Sequence, residues 1–325
     1  MKLFGGKRFF SFALCACILT GCGKTDVALT GAYDITETAS LVSEDTGAET
    51  SRHFFGEELC VGEDVFTENP DVSDSVAKAM GLFDLTTGEI VYSKRIYDRI
   101  YPASTTKLMT IYLTLKYGNL SDVVEVSAKA VDQPSDSSVC GLEEGDVITV
   151  EELLYGLMLR SGNDAAVALA EYVSGSVEDF AELMNTEATK LSCTGSHFVN
   201  PNGLHDDDHY TTVYDLYLIF NAASQYDEFI KIIGTAVHTA EYADALGDPV
   251  IMDWSNTNKF INGEVSAPEG YVITGGKTGT TNAAGYCLCV MGKNAIGDTM
   301  IAIVMKADGR SDLYEVMKQM MSAYN

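Results

Sequence analysis

The chain has 325 residues, with 47 acidic and 21 basic side chains and a formal net charge of −26 at pH 7. A charge of this sign repels nucleic acid and anionic lipid headgroups, so the composition predicts neither as a partner. The length is enough for one large domain, or for a core with a helical subdomain, after an N-terminal segment of different composition.

The first 21 residues have the features of an export signal. A basic start precedes an apolar run at residues 9–19, which is too short to span a bilayer. The run ends in Leu-Thr-Gly-Cys at residues 19–22, which resembles a bacterial lipobox, so we expect Cys22 to be lipidated and to become the mature N-terminus. The alternative is an ordinary cleaved signal with an incidental cysteine. A lipidated terminus carries more than one acyl chain, as stable membrane anchoring requires.

Residues 22–56 are predicted to form a flexible tether. They are rich in Thr, Ala, Ser and Glu and show no sustained apolar period, so they cannot bury enough surface to become ordered. Fully stretched, such a segment reaches on the order of 100 Å. We therefore expect residues 57–325 to form a domain held outside the cytoplasm and anchored to a bacterial membrane through lipid.

The order of predicted elements in this domain indicates an α+β fold. A strand pair at residues 77–84 and 90–95 opens it, and helical patterns dominate residues 104–226, including 150–159 and 164–173. Strands return at three places near the C-terminus: residues 272–277, 286–291 and 300–305. Both chain ends should therefore build one antiparallel sheet, with helices on its faces and a helical subdomain.

The last predicted helix carries one apolar stripe, formed by Leu313, Val316, Met317, Met320 and Met321. Its polar face mixes acidic and basic side chains, which favours packing against the core over a membrane-anchoring role. We expect no second β domain after this helix.

Three short strings carry the functional signal: Ser104-Thr105-Thr106-Lys107, Ser161-Gly162-Asn163 and Lys277-Thr278-Gly279. If a helix begins at Ser104, Lys107 lies one turn further on the same face, beside the hydroxyl. A serine hydroxyl is a poor nucleophile until a neighbour takes its proton, and an amine does so only when it is uncharged. Burial, together with Lys277 as a second cation, would lower the pKa of Lys107.

Each string alone has a simpler structural interpretation. Ser-x-x-Lys is often a helix N-cap followed by a surface lysine. The Ser-Gly-Asn string fits a turn between helices in which Gly162 is left-handed. Gly-Lys-Thr at residues 276–278 invites a phosphate-loop interpretation, but that motif needs glycine where the chain has Tyr271. The three strings in this order favour a single enzyme site.

Ser-x-x-Lys, Ser-x-Asn and Lys-Thr-Gly together mark the enzymes that acylate on penicillin. From about residue 75 to the end, the chain resembles the low-molecular-mass penicillin-binding proteins, most closely the serine-type D-alanyl-D-alanine carboxypeptidases. The Asn-Pro-Asn-Gly-Leu string at residues 200–204 belongs to the resemblance. The resemblance implies the penicillin-binding protein and β-lactamase fold, with residues 57–325 as a D,D-peptidase catalytic domain.

The expected reaction removes the terminal D-Ala from peptidoglycan stem peptides through an acyl-enzyme. Ser104 attacks the carbonyl between the two D-alanines, and Lys107 is the base that activates it. Ser161 relays the proton to the leaving group, and Asn163 holds Lys107 and the substrate amide. β-Lactams are the expected covalent inhibitors, and no cofactor is expected.

Substrate binding is assigned to the third string and the residue after it. Lys277 and Thr278 are expected to hold the terminal carboxylate, and Gly279 lets the strand approach the substrate backbone closely. The unpaired backbone N–H of Ser104 forms half of an oxyanion hole. By resemblance, the N–H of Thr280 forms the other half.

Three other functions stay open. A D,D-endopeptidase would cut peptidoglycan cross-links with the same residues, and a non-catalytic penicillin-binding lipoprotein would keep the motifs without turnover. A class A β-lactamase needs a Glu that activates water for deacylation, on a Glu-x-x-Leu-Asn string. Residues 184–197 offer Glu187 followed by Leu191 and no such string, which disfavours a β-lactamase.

The remaining candidate features are cysteines and one acidic loop. Five cysteines lie beyond the lipobox, namely Cys60, Cys140, Cys193, Cys287 and Cys289; this odd number does not indicate a disulfide framework, although one disulfide stays open. The last two should be small core residues of a strand. His205-Asp-Asp-Asp-His209 looks like a metal cluster, but histidines four apart are convincing only on a helix. We therefore predict a solvated acidic loop and no metal site.

Overall fold

The computed structural model describes residues 59–62 and 69–324, which belong to one compact unit, His53–Asn325. The predicted signal peptide, Cys22 and the tether at residues 22–56 lie outside the described residues. Within the described part, no helix is both long enough and apolar enough to cross a bilayer.

The described strands are, in chain order, β1 (Ala77–Asp84), β2 (Glu89–Lys94), β3 (Val123–Glu125), β4 (Val147–Thr149), β5 (Val237–Ala243), β6 (Pro249–Ser255), β7 (Val272–Thr281), β8 (Gly285–Lys293) and β9 (Thr299–Ala307). The helices are α1 (Lys107–Tyr117), α2 (Ala128–Val131), α3 (Val150–Tyr155), α4 (Asn163–Ser174), α5 (Val177–Lys190), α6 (Val213–Ala223), α7 (Asp227–Ile233) and α8 (Arg310–Ser322). Short 3₁₀ turns form at Asp74–Val76 and Ala103–Thr106, and a π turn forms at Gly156–Arg160.

The main sheet has five antiparallel strands in the order β2-β1-β9-β8-β7. It joins both ends of the domain, because β1 pairs with β9 from Ala77↔Ala307 to Asp84↔Met300. The sequence prediction of one antiparallel sheet built from the two chain ends is therefore confirmed.

Helices cover both faces of this sheet, as the alternation along its strands requires. On one face Met80 and Leu82 pack with the apolar stripe of α8, whose five predicted residues are all buried. On the other face Ala79 and Phe83 join the larger core formed with α1 and α4–α6. The α+β class and the core role of the last helix are confirmed.

A second, four-stranded sheet in the order β3-β4-β5-β6 was not predicted. β3 and β4 are only three residues each, and they interrupt the stretch at residues 104–226 that was predicted to be mainly helical. β5 and β6 form a hairpin with one solvent-facing side, so only alternate residues such as Ala240 and Trp254 are fully buried. The exposed side also carries the apolar residues Val237 and Ile251, which blurs the alternation of apolar and polar residues that would predict these strands.

The five cysteines are all buried and free, and Cys287 and Cys289 lie in the core as predicted. Among residues 59–62 and 69–324, no three His, Cys, Asp or Glu side chains are grouped to hold a metal ion. The acidic loop prediction holds for residues 205–208, which are exposed, but it is wrong for His209, which is buried. The ring of His209 contacts Thr106 and Val199 instead of solvent.

Candidate active site

Ser104 lies in the 3₁₀ turn Ala103–Thr106, directly before α1. The sequence prediction of an α-helix beginning at Ser104 is therefore wrong by three residues, because α1 begins at Lys107. Ala103 is left-handed, with φ 49°, which costs a residue with a Cβ about 1–2 kcal/mol. The turn still places Lys107 beside the serine, with Nζ 3.1 Å from Ser104 Oγ.

The Lys107 side chain is fully buried among polar partners. Its Nζ donates to Asn163 Oδ1 at 2.8 Å and to the carbonyl of Asn202 at 2.7 Å. Burial, and then the charge of Lys277, hold the pKa of Lys107 well below its usual value. A neutral amine at this position has its lone pair available for the Ser104 proton, which is what a general base requires.

Ser161 follows the π turn that ends α3, so residues 150–159 are not the continuous α-helix predicted. Ser161 itself is left-handed, with φ 60° and ψ 34°, whereas Gly162 is extended, so the simple turn with a left-handed Gly162 that was weighed against an enzyme site does not form. A Cβ at Gly162 would lie 2.2 Å from Cys140 Sγ, which explains the glycine. A left-handed backbone at a residue with a Cβ, such as Ser161, costs about 1–3 kcal/mol, and strain of this kind concentrates at functional sites.

Lys277 lies on β7, is fully buried and contacts Ser161. Its Nζ donates to Ser161 Oγ at 2.9 Å and to the Thr278 carbonyl at 2.9 Å. Burial lowers the pKa of Lys277 to about 7. The structure thus joins the three sequence strings into one chain of contacts, from Ser104 through Lys107 to Asn163 and from Lys277 to Ser161.

β7 runs directly alongside the nucleophile turn at Gly279. A Cβ there would lie 3.0 Å from the backbone nitrogens of Ser104 and Thr105 and 3.1 Å from the Pro102 carbonyl oxygen. A Cβ at these distances would be tighter than usual, so glycine favours the close approach of β7 to the nucleophile turn. Ser104 and Thr280 line the same cavity.

The cavity in front of Ser104 has a volume of about 150 Å³. Ser161, Thr278 and Gly279 line it together with residues that were not singled out from the sequence: Ser138, Thr257, Tyr286 and Arg310. Thr257 and Thr278 bond to each other through their hydroxyls at 2.7 Å. Lys107 and Lys277 are not among the lining residues, so Arg310 is the cationic side chain on the cavity wall within the described part of the chain.

Arg310 is the first residue of α8, and its guanidinium lies 5.9 Å from the centre of the Tyr286 ring. A cation at a helix N-terminus opposes the helix dipole, since that end favours negative charge. This departure from the usual pattern was visible in the sequence and is a signal that Arg310 serves something other than helix stability.

Asp164 supports the cavity wall that carries Ser138. Its carboxylate is buried and accepts from the backbone N–H groups of Cys140 at 2.9 Å, Gly141 at 3.0 Å and Leu142 at 3.2 Å. The N–H of Asn163 in turn donates to the Ser138 carbonyl at 2.8 Å. The start of α4 therefore fixes both the Lys107 partner and one wall of the site.

Glu187 lies away from this site in a buried ion cluster. Its carboxylate accepts from Lys116, from Tyr117 Oη at 2.6 Å and from Lys190 Nζ at 2.7 Å. Burial opposes ionisation, but these hydrogen bonds outweigh it and lower the pKa of Glu187 to about 2. Lys116 follows Lys107 by nine residues on α1, about 13 Å along the helix axis, so Glu187 holds α1 against α5 rather than serving Ser104.

The fold and the site together define a penicillin-binding protein of the D,D-peptidase type. A model of the peptidase S11 family, described as D-alanyl-D-alanine carboxypeptidase, matches residues 64–309. The chain belongs to this family.

Two relatives show how far the sequence similarity extends. The D-alanyl-D-alanine carboxypeptidase DacF of Bacillus subtilis is 35% identical over 224 residues, which cover 67% of this chain and 54% of the relative. The chain thus spans about half the length of that protein. A D-alanyl-D-alanine carboxypeptidase of Streptomyces sp. strain K15 is 35% identical over 249 residues, covering 71% of this chain and 82% of the relative.

Solved structures show the same fold. The crystal structure of the Streptomyces K15 DD-transpeptidase superposes with a TM-score of 0.70 and 30% identity, covering 78% of this chain and 98% of that one. A penicillin-binding protein homologue from Mycobacterium tuberculosis gives a TM-score of 0.68 and 26% identity, covering 78% of this chain and 94% of that one.

Proposed function

We propose that this protein is a serine D,D-carboxypeptidase that removes the terminal D-Ala from peptidoglycan stem peptides through an acyl-enzyme on Ser104. The observation that carries the proposal is the fully buried Lys107, whose Nζ lies 3.1 Å from Ser104 Oγ at the wall of a cavity. Membership of the family and the names of its relatives supply the substrate class.

In the acylation step, Ser104 Oγ attacks the carbonyl carbon of the bond between the two D-alanines, and its proton passes to Lys107 Nζ. The ammonium that forms then donates to Asn163 Oδ1 and the Asn202 carbonyl, both already within 2.8 Å. The developing oxyanion is stabilised by the backbone N–H groups of Ser104 and Thr280. Ser104 and Thr280 both line the cavity, which supports this assignment.

The tetrahedral intermediate collapses when its C–N bond breaks and the leaving amine takes a proton. Ser161 is the group suited to deliver that proton, because Lys277 holds its hydroxyl at 2.9 Å and can replace the proton it gives up. Water then attacks the ester on Ser104 and releases the shortened peptide. An endopeptidase or a transpeptidase would share the acylation half of this scheme.

The terminal carboxylate of the substrate is assigned to Arg310 and Thr278, which face the cavity. Lys277 was predicted from the sequence to hold this group, but it is fully buried and donates to Ser161. Its positive charge contributes to the attraction of the carboxylate without direct contact. A guanidinium matches a carboxylate in shape and charge, and Thr278 adds a hydroxyl that can donate to the same group.

Replacing Arg310 with glutamine is expected to lower kcat/KM for a peptide ending in D-Ala-D-Ala by about 10–100-fold, since a hydrogen bond to a charged group is lost. The wild type should reject the same peptide with a C-terminal amide, and the variant should no longer discriminate between the two. Lys318→Gln, on the same helix, is the matched control. Unchanged discrimination in Arg310→Gln would contradict this assignment of the carboxylate site.

The acyl-enzyme itself is tested with labelled penicillin and peptide mapping. We expect one label per molecule, on the peptide that contains Ser104, and no label in Ser104→Ala. Label retained in Ser104→Ala, or mapped to Ser161, would contradict the assignment of the nucleophile.

We further propose that residues 1–21 are a lipoprotein signal, that Cys22 is lipidated, and that residues 22–56 tether a catalytic domain of residues 57–325 outside the cytoplasm. The support is the sequence alone: a basic start, a short apolar run and Leu-Thr-Gly-Cys at its end. Cys22→Ser should move the protein from the detergent phase to the aqueous phase. Mass spectrometry that finds unmodified Cys22, or cleavage elsewhere, would refute it.

A further inference from the structure

His209 is a buried histidine beside the nucleophile turn, with 2% of its surface exposed. Its ring packs edge-on against Phe198, with the centroids 5.6 Å apart. Both ring nitrogens have partners: Nδ1 lies 3.1 Å from the backbone nitrogen of Val199, and Nε2 lies 2.8 Å from Thr106 Oγ1. Thr106 belongs to the turn that carries Ser104.

These contacts form a relay of hydrogen bonds from Val199 through His209 and Thr106, and the donor and acceptor of each bond can be assigned. The Val199 N–H can only donate, so Nδ1 accepts and the neutral ring carries its proton on Nε2. Thr106 has a single hydroxyl proton, which it donates to the Ala103 carbonyl at 2.8 Å. The Thr106 oxygen is therefore the acceptor for His209 Nε2–H. The Thr106 hydroxyl thus donates one hydrogen bond and accepts another, and each proton in the relay has one acceptor.

The relay ends on the residue whose backbone is strained. Ala103 is left-handed, with φ 49°, and directly precedes Ser104. Its carbonyl accepts from the Thr106 hydroxyl and lies close against Gly203, where a Cβ would be only 1.9 Å from the Ala103 oxygen. Strained conformations persist only where the surroundings enforce them. His209 orients the one hydroxyl that bonds to this carbonyl.

The same ring also faces the loop that supports the base. Val199 immediately precedes the segment at residues 200–204, in which the Asn202 carbonyl accepts from Lys107 Nζ at 2.7 Å. The Pro201 carbonyl accepts from Thr110 Oγ1 at 2.6 Å, one turn beyond Thr106. His209 therefore lies between the turn that carries the nucleophile and the loop that helps to hold the general base.

We propose that His209 is a positioning residue for acylation: its neutral ring orients the Thr106 hydroxyl, which fixes the left-handed Ala103 turn and so presents Ser104 to Lys107. This inference rests on the proposed acylation of Ser104. His209 does not touch the cavity and takes no proton from substrate. Its loss should therefore slow the chemical step rather than weaken binding.

Burial lowers the pKa of His209 to about 4, which keeps the ring neutral at the pH of the reaction. The titratable groups around it are Asp206, which raises the pKa, and His197, His205 and Lys107, which lower it. A second ring proton would point at the Val199 N–H and break the relay at that end. The neutral form is thus the one that positions the turn.

The test measures the acylation rate constant and the noncovalent binding constant for labelled penicillin separately, in His209→Leu and His209→Gln. His209→Leu is expected to slow acylation by about 10–100-fold with binding within about twofold, because a small displacement of reacting groups has effects of this size. His209→Gln should recover most of the rate, since its amide oxygen can accept from Val199 and its NH₂ group can donate to Thr106.

Two further variants separate positioning from loss of stability. In His238→Leu, a histidine away from the active site loses a 2.6 Å hydrogen bond to Glu152 and its stacking on Tyr155. This variant should have a lower melting temperature but an unchanged acylation rate. Thr106→Val should slow acylation as His209→Leu does, and the double variant should be no slower than either, because both break one relay.

Equal acylation rates in wild type and His209→Leu, or failure of glutamine to restore the rate in a folded protein, would overturn the inference. So would additive effects of His209→Leu and Thr106→Val on the free energy of unfolding, which can be measured without any label. Failure of the proposed function is recognised separately, as absence of label on wild-type Ser104.

Discussion

Arginine in place of Lys107 is expected to slow acylation of Ser104 by penicillin on the order of a thousandfold, within the range lost when a general base is removed. The guanidinium keeps the positive charge and could still donate to Asn163 Oδ1, but it stays protonated at any accessible pH and cannot take the serine proton. The measurement is the second-order rate constant of labelling. An arginine variant within about tenfold of wild type would rule out the base role.

The role of Lys107 as a base also predicts the direction in which the acylation rate changes with pH. Burial, and then Lys277, lower the pKa of Lys107, so the amine is neutral above that depressed value and charged below it. The wild-type acylation rate should therefore fall as the pH drops through the pKa and level off above it. Lys116→Arg, on the same helix and paired with Glu187, is the matched control and should keep both rate and profile.

A penicilloyl ester on Ser104 is expected to persist on the order of a thousandfold longer than the peptidyl ester, since general-base activation of water contributes effects of this size. In both esters the acyl carbon is attached to the same oxygen, so the difference lies in the access and activation of water. Of residues 59–62 and 69–324, those that line the cavity include no Asp or Glu, and the Glu187 carboxylate accepts from Lys116 and Lys190. The opened penicillin ring remains attached and blocks the approach of water, whereas D-Ala leaves.

Intact-protein mass spectrometry after removal of excess penicillin measures the lifetime of the penicilloyl ester, and single-turnover peptide hydrolysis measures the other lifetime. Penicilloyl turnover as fast as peptide turnover would contradict the carboxypeptidase proposal and favour a β-lactamase. A peptidyl ester as long-lived as the penicilloyl ester would instead favour an enzyme whose natural acceptor is an amine.

Much of the site was predictable because its chemistry depends on short strings. The turn from Ser104 to Lys107 is local, so its spacing predicts the 3.1 Å contact even though the turn is 3₁₀ rather than α. That both ends of the domain build one sheet followed from the apolar strand patterns near each end, and the α8 stripe followed from its period.

What the sequence did not predict depends on contacts between distant segments. Arg310 reaches the cavity only because β8 and β9 bring the start of α8 beside Tyr286, and no local pattern contains that pairing. The burial of Lys277 behind Ser161 required the position of the π turn, which depends on packing against Trp254 and Cys140. His209 was hidden by the four exposed residues before it, since exposure of a loop does not fix the direction of each side chain.

Release of D-Ala from a pentapeptide ending in D-Ala-D-Ala, by wild type and by Ser104→Ala, tests the central claim most directly. The proposal predicts catalytic release by the wild type, abolished by prior treatment with penicillin, and no release above background by the variant. Release that continues in Ser104→Ala, or no release by a wild type that penicillin does label, would contradict a carboxypeptidase acting through Ser104.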